Sequence, residues 1–443
     1  MSISETSPTF NLKAVVLETG IKPHTLRSWE RKYGLPRPLR TEGKHRVYTQ
    51  KDIDTVKWLI ARLEEGIAIS RAVELWYHLE RKGENPLVVA AYQTRELPVT
   101  STAGDAVTNL RQKLVENCLK FDRVSAENVL TQAFAIYPVE MVCRELLQKG
   151  LHQIGKLWFQ NEATVQQEHF TSALIAERLN ALIAAAPPPN RLGRILVATP
   201  PHEEHTIALL SLSLLLRYRG WDVVYLGGNV PIFQLGVTVE AIKPNLVVLA
   251  AQRLQTAASL AKTTHFLTDE KVPAAFGGSI FNLISDLRHR IHGHFLGESI
   301  DDAVTSIGQI MAFNPPLSQV EPPSTAYQRA SNHYQTCHHL IELETRQIME
   351  NQELPLHFVS ETNSRLAQYI LAALKLGDMN FINPEIELSR RLVANYNISS
   401  EWQSNYMDAY FQAALNNLDG EASPIVAWLD QARSASSVTQ PRS

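Results

Sequence analysis

The stretch Arg194-Ile195-Leu196-Val197-Ala198-Thr199-Pro200-Pro201-His202-Glu203-Glu204-His205-Thr206-Ile207-Ala208 decides how this chain reads. Its first half is a short apolar run, the pattern of a strand buried on both faces of a parallel sheet. The run Leu209 to Tyr218 that follows reads as a helix. His205 therefore falls at the carboxyl edge of a first strand, the place where open α/β sheets bind ligands. A histidine there can reach a metal-bearing cofactor lying on the sheet. Taken alone, a histidine there is more commonly a capping or surface-loop residue, and His202 reads as solvated loop.

Outward from this loop, strands alternate with helices. Strands are expected at Ile195–Ala198, Val223–Leu226, Leu246–Ala250 and Ala274–Phe276, with a short fifth near Phe295. Helices are expected near Thr206–Tyr218, Ile232–Ile242 and Ala257–Leu267, and another after Phe281. This alternation implies a parallel, flavodoxin-like sheet of Rossmann type over 190–312. Upstream, four stretches near Ala106–Lys120, Arg123–Phe134, Pro138–Lys156 and Thr164–Ala185 have apolar residues at helical spacing, which implies a four-helix bundle over 104–189. Pro187-Pro188-Pro189 closes it. Downstream, Pro315-Pro316 and Pro322-Pro323 frame a linker, and 324–435 reads as an α-helical extension with helices such as Leu340–Met349, Ser364–Leu374 and Ile386–Ala394. Trp402, Tyr406, Tyr410 and Phe411 read as its core, and His338-His339 as a solvated pair. The fold class is thus multidomain, α and α/β.

Composition narrows the function. The 443 residues carry a net charge of −3 and three cysteines, Cys118, Cys143 and Cys337, without paired spacing. That argues against a zinc ribbon, an iron–sulfur site or a disulfide scaffold and suits a reducing cytoplasm. No signal peptide and no long uncharged apolar run is seen, so no membrane role is expected. Charge is nevertheless uneven. Residues 1–83 carry 15 Lys and Arg against 10 Asp and Glu, which leaves 27 against 35 for the rest. An anionic partner for this first segment follows.

Within that segment, Leu12 to Gly20 reads as a short helix stopped by glycine, and Pro23 opens a second running His24 to Lys32. Two short helices around a tight turn make a helix-turn-helix. The second displays His24, Thr25, Arg27, Ser28 and Arg31, side chains suited to phosphates and base edges, while Leu26 and Trp29 take the core side. Arg37 to Tyr48 reads as a hairpin wing, with Arg40, Lys44, His45, Arg46 and Tyr48 as further DNA contacts, and Thr49 to Asp54 starts a helix. This run of T-L-R-S-W-E-R-K-Y-G-L, H-R-V-Y and D-I resembles the MerR family over 1–83. The resemblance implies binding of a double-stranded operator by a homo-oligomer. The cysteine-rich end of the metal-sensing members is missing.

The middle of the chain resembles the cobalamin-binding module, a helical cap followed by a Rossmann-like domain. The family motif D-x-H-x-x-G is here Glu203-Glu204-His205-Thr206-Ile207-Ala208. The resemblance implies that His205 is the lower cobalt ligand, with Glu203 behind it to tune its basicity. Tyr225-Leu226-Gly227-Gly228-Asn229-Val230-Pro231 matches the family's L-G-x-x-x-P, and Phe276-Gly277-Gly278-Ser279 its G-G, which implies cofactor contacts at Gly227, Gly277 and Gly278. Two positions depart: Ala208 stands for glycine, and Ala250-Ala251-Gln252 lacks the serine of S-x-L.

In the cap, Trp158, Glu168 and His169 are spaced W-x9-E-H. This is the signature of the CarH/LitR group of light-responsive MerR repressors. Val165, Glu168 and His169 fall on one helical face. The resemblance implies that these residues and Trp158 cover the upper ligand of adenosylcobalamin, or of methylcobalamin. It also implies a photoreceptor repressor, assembled as a dimer or tetramer and released from DNA by light. Where members that form a bis-histidine photoproduct carry a histidine, this chain has Phe159. Two other readings stay open: a light-independent regulator acting through protein contacts, and a cobalamin-dependent enzyme. The regulator, with no catalytic residues, is the reading adopted. For the C-terminal extension an oligomerisation or partner-binding role is the expectation.

Overall fold

The computed structural model describes residues 10–19, 21–40, 46–64, 69–81, 101–317, 320–350, 356–395 and 398–438. The chain divides into two compact units, Met1–Thr100 and Ser101–Ser443.

In the first unit, α1 (Leu12–Thr19) and α2 (Pro23–Tyr33) form the helix-turn-helix. Pro23 stands at the start of α2, where its missing N–H costs nothing. Gly34 ends the helix at φ +68°, a left-handed conformation that favours glycine. A two-residue antiparallel pair follows, β1 (Leu39–Arg40) with β2 (Arg46–Val47), then α3 (Gln50–Glu64) and α4 (Ile69–Arg81). Leu26, Trp29, Tyr48, Leu59 and Trp76 fill one core.

The second unit opens with α5 (Ser101–Leu119) and α6 (Arg123–Ile136). The next helix is built in three pieces: α7 (Val139–Met141), a π-helical stretch (Val142–Gln148) and α8 (Lys149–Phe159). Then comes α9 (Val165–Ala184), started by a capping box between Thr164 and Gln167. Leu114, Leu130, Leu146, Ile154 and Leu174 join these helices in one core, which continues into Leu210 and Leu214 of α10 (Ile207–Tyr218).

The sheet has five parallel strands: β3 (Arg194–Ala198), β4 (Asp222–Gly227), β5 (Leu246–Ala250), β6 (Ala274–Gly277) and β7 (His294–Phe295). Their order is β4-β3-β5-β6-β7, the flavodoxin-like order. The chain reverses direction across the sheet between β3 and β5, so the crevice at their carboxyl ends is the topological switch point. Helices α11 (Leu235–Ile242), α12 (Leu254–Asp269), the short α13 (Ser279–Leu283) and α14 (Ile300–Phe313) complete the layers. Both α11 and α12 deviate from expectation at their starts. Gln234 adopts a left-handed φ of +64°, which delays α11, and a cap at Arg253 lets α12 begin three residues early.

The C-terminal extension folds as α15 (Thr325–Ile348), α16 (Leu356–Leu376), α17 (Asn383–Asn395), α18 (Ser400–Asn417) and α19 (Ser423–Val438). It is not a separate layer. One continuous core runs from Leu196 and Leu249 of the sheet, through Leu254 and Leu260 of α12, to Ile370, Tyr410 and Trp428. Each fully buried aliphatic side chain there contributes about 1.5–3 kcal/mol, so the extension is part of the second unit's stability. Trp402, Tyr406 and Tyr410 are core, Phe411 packs at its margin, and His338 is held by Glu342 while His339 is exposed.

At Gly278 φ is +122° and a Cβ would lie 1.9 Å from the Ala251 carbonyl oxygen. The obstacle is backbone, so no rotamer change relieves it. Gly278→Ala is expected to lower unfolding stability by at least ~1–3 kcal/mol, read as a fall in the urea midpoint.

Candidate functional site

At the switch point, β3 ends at Ala198 and the loop Thr199–Thr206 crosses toward α10. The loop is tied from two sides. On the β4 side, the Asn229 N–H donates to the Glu203 carbonyl (2.8 Å) and to Thr199 Oγ1 (2.8 Å), and the Val230 N–H donates to the Thr199 carbonyl (3.1 Å). The Thr199 hydroxyl donates to the Glu203 carbonyl (2.5 Å), and the Asn229 side chain accepts from the His202 N–H (2.7 Å). A Cβ on Gly228 would come within 2.9 Å of Thr206 and 3.3 Å of the Glu203 carbonyl, so this glycine lets β4's end approach the loop.

On the β5 side the tie is Glu203 itself. Its side chain is 1% exposed. One carboxylate oxygen accepts from the Gln252 N–H (2.7 Å) and the Thr256 hydroxyl (2.6 Å); the other accepts from the His205 N–H (3.0 Å) and lies 2.6 Å from His205 Nδ1. Burial pushes this carboxyl up, but the hydrogen bonds from His205, Thr256 and Gln252 outweigh it and hold it at about 2. An ionised Glu203 can only accept, so Nδ1 carries the proton of the shared bond and Nε2 of a neutral ring is left with its lone pair. The His205 side chain is 54% exposed, and no hydrogen bond or ion pair engages Nε2 among the described residues. A basic imidazole nitrogen, fixed in tautomer and facing outward from the carboxyl edge of a sheet, is a metal-ligand arrangement.

The remaining predicted residues fall around this loop. Gly227 has φ +89° with open space at its Cβ position, a Cβ on Gly277 would meet only Leu296 Cβ at 4.0 Å, and Gly278 turns the chain against Ala251. Gln252 ties the two strand ends together: its side-chain oxygen accepts from the Ser279 N–H (3.0 Å) and hydroxyl (2.8 Å). Ala208 is exposed on the first turn of α10 and Ala250 is buried at the end of β5. His202 is exposed, as expected for a solvated loop.

On the cap, Trp158 is half-buried near the end of α8, and its Nε1 is buried with no hydrogen-bond partner among the described residues. Val165, Glu168 and His169 lie in the first turns of α9. Val165 and His169 are exposed. Glu168 is already engaged, pairing with His169 Nδ1 at 2.9 Å and accepting from Ser172 Oγ at 2.6 Å. The cap and loop groups are thus two clusters, and no hydrogen bond or ion pair joins them among the described residues.

In the first unit, His24, Arg27 and Arg31 are exposed on α2, and Thr25 and Ser28 are half-buried beside them. Leu26 and Trp29 face the core. Arg46 pairs with Glu30 at 2.7 Å. Tyr48 corrects the sequence reading: it is fully buried, and its hydroxyl donates to Glu30 at 2.6 Å. Its ring completes the core, so it holds the wing rather than displaying a contact. The Arg40 side chain, Lys44 and His45 lie outside the described residues.

Thr199, Asn229, Gln252 and Thr256 were missed by sequence reasoning. They are 27 to 53 residues from their partners in the loop, apart from Thr199, and carry no spacing signal. Only the glycine turns after β4 and β6 hinted that these strand ends converge.

A helix-turn-helix with a wing, and a cap-plus-sheet unit with a presented histidine, together define a DNA-binding regulator with a corrinoid-type cofactor module. Residues 10–78 match the MerR HTH family regulatory protein and residues 110–183 match the B12 binding domain. The chain is 31% identical over 245 residues to the HTH-type transcriptional repressor CarH of Myxococcus xanthus, covering 55% of this chain and 78% of that protein. It is 32% identical over 248 residues to CarA of the same organism, covering 55% and 77%. The trimethylamine corrinoid protein of Methanosarcina barkeri is 27% identical over 209 residues, 44% of this chain and 93% of that one. The chain belongs to the CarH/CarA family of MerR-type, cobalamin-binding transcriptional regulators. It is a regulator and not an enzyme.

The ionised, buried Glu203 sets a pH signature. Its folded-state value lies below the ordinary carboxylate value, so its contribution is complete above about pH 5 and is lost as pH falls toward 2. The stability gap between the native chain and Glu203→Gln is expected to exceed ~1 kcal/mol at pH 7 and to close as pH is lowered through that window. Urea unfolding at stepped pH reads it; a gap that does not change with pH would exclude an ionised Glu203.

Proposed function

We propose that this chain is a light-responsive repressor that binds its operator in the dark with adenosylcobalamin and releases it on illumination. The observation that carries the cofactor half is the His205–Glu203 pair at the switch point, with Nδ1 engaged and Nε2 presented. His205 would serve as the lower cobalt ligand and Glu203 as the group fixing its tautomer. Gly227 and Gly277 leave room at the strand ends for the rest of the molecule, while Gly278 lets the chain turn against Ala251. When bound, adenosylcobalamin supplies a cobalt–carbon bond that light can cleave.

The light half of the reading rests on the cap. Trp158 has an indole N–H in need of an acceptor, and Val165, Glu168 and His169 share one face of α9. These residues would cover the upper ligand. The Glu168–His169 pair must loosen for Glu168 to accept from a ribose hydroxyl. Phe159 offers no nitrogen, so this position cannot become a second axial ligand. Operator binding is assigned to His24, Thr25, Arg27, Ser28 and Arg31 on α2, with Arg40, Lys44, His45 and Arg46 on the wing. Assembly of copies as a dimer or tetramer would set the spacing of half-sites and supply the avidity that light removes. Among the described residues no helix is long and apolar enough to cross a membrane; a cytoplasmic site of action follows from the assigned role on DNA.

Purification with adenosylcobalamin in darkness tests this reading. The expected product is red, bleaches under light and binds operator only in the dark; His205→Ala is expected to lose cobalamin affinity by roughly 10–100-fold. A colourless protein with equal DNA binding in light and dark would refute it. The illuminated protein is expected to lack a bis-histidine spectrum while still dissociating, and the appearance of that spectrum in His169→Ala would show that some other residue supplies the second nitrogen.

For DNA, Arg27→Ala or Arg31→Ala is expected to weaken dark-state binding by about 1–3 kcal/mol where the side chain reads a base. Where it meets a phosphate, the salt slope should fall by about one instead. Titration at several salt concentrations separates the two.

A further inference from the structure

We infer that the C-terminal bundle positions the His205 loop, and that Glu385 is the residue through which it does so. This rests on the reading of His205 as the lower cobalt ligand.

Helix α12 begins at Leu254, and its first N–H groups point out of the helix without intrahelical acceptors. Two buried carboxylates converge on this one helix start. Glu203 arrives from the loop after β3 and holds the Gln252 N–H and the Thr256 hydroxyl. Glu385 arrives from α17 and accepts from the Leu254 N–H at 3.4 Å. It is 8% exposed, and Tyr369 of α16 stands against its carboxylate. The positive end of the α12 dipole favours both acids.

The bundle holds Glu385 firmly. The indole N–H of Trp428 on α19 donates to Asn383 at the start of α17 (2.9 Å), two residues before Glu385. Arg390, further along α17, donates to the Ala432 carbonyl (3.3 Å). Leu254 itself is fully buried in the core that the sheet shares with the bundle. A chain of contacts therefore runs from α19 to α17, to the first turn of α12, to Glu203 and to His205. Apolar packing alone would join bundle and sheet without placing an acid in this interior, where a charge without partners is costly. Glu385 fixes where α12 starts, and the α12 start fixes the carboxylate that orients the imidazole. Glu385 acts through the Leu254 N–H and not on His205 directly, so it is a positioning residue.

The test uses the full chain with nitrogen-15-labelled histidine, loaded with cob(II)alamin and read by electron paramagnetic resonance, where a histidine ligand splits the cobalt signal into doublets. Glu385→Ala is expected to weaken cobalamin binding about tenfold, the low end for groups behind a metal ligand, and to remove the doublet splitting from part of the signal. Glu385→Gln keeps an acceptor for the Leu254 N–H and is expected to restore both. Asn363→Ala, which cuts the buried bond to Tyr406 inside the bundle, is expected to lower the melting temperature and leave the splitting intact. Should Glu385→Ala fail to fold, Glu385→Met, which refills the volume without an acceptor, is read in its place. Native affinity and full splitting in the Ala or Met variant would overturn the inference, as would an equal spectral change in Asn363→Ala. His205→Ala separates the two levels. If it keeps the doublet, the ligand reading falls and this inference with it. If it loses the doublet while Glu385→Ala keeps it, only the positioning role falls.

Discussion

The organisation of the second unit depends on one buried carboxylate. Glu203 leaves β3, is sealed from water, and collects donors from its own loop and from the start of α12. An ionised acid in such a place is tolerable only because every oxygen is satisfied. The same bonds close the crevice between β3 and β5 at one point and hold one histidine above it. The stability of the loop and the orientation of His205 therefore share a residue. What keeps the acid buried also leaves His205 Nε2 facing outward.

The helical layers on either side of the sheet are not equivalent. The cap joins the core on the α10 side, where Leu210 and Leu214 meet Leu174 and Leu146. The C-terminal bundle joins the core on the α12 side, where Leu254 and Leu260 meet Ile370 and Trp428. The cap brings Trp158, Glu168 and His169; in the bundle Trp402, Tyr406, Tyr410 and Trp428 are buried, and Tyr334 bonds Tyr410 within it. Its position against α12 places it behind the loop that carries His205. The apolar faces of these helices meet their own chain, which the sequence does not reveal, because a long amphipathic stretch looks the same whether its apolar face meets a partner or its own chain.

In the first unit, Glu30 plays the part that Glu203 plays in the second. It receives Tyr48 from the wing side and pairs with Arg46. The wing is thereby anchored to α2, the helix that displays His24, Arg27 and Arg31. A basic cluster read along the sequence includes Tyr48 and Arg46 without distinction. Only burial separates the tyrosine that supports the wing from the residues that stand on its surface.

Local rules sufficed for much of this protein. Apolar runs of three to five residues marked the strands because a strand covered on both faces has no polar side. Pro23 marked the start of α2 because proline suits a helix start. The motif around His205, with the glycine turns after β4 and β6, located the candidate site before any fold was known. Tertiary structure alone decided what surrounds it. Thr256, Gln252, Asn229 and Glu385 reach the site from elements far along the chain, and a pairing between distant residues leaves no periodicity in a single sequence. Residue types and their local order determined the fold class and the candidate histidine at the edge of the sheet. Strand order and core packing determined which groups stand behind that histidine, because only they bring the ends of β3, β4 and β5 to one crevice.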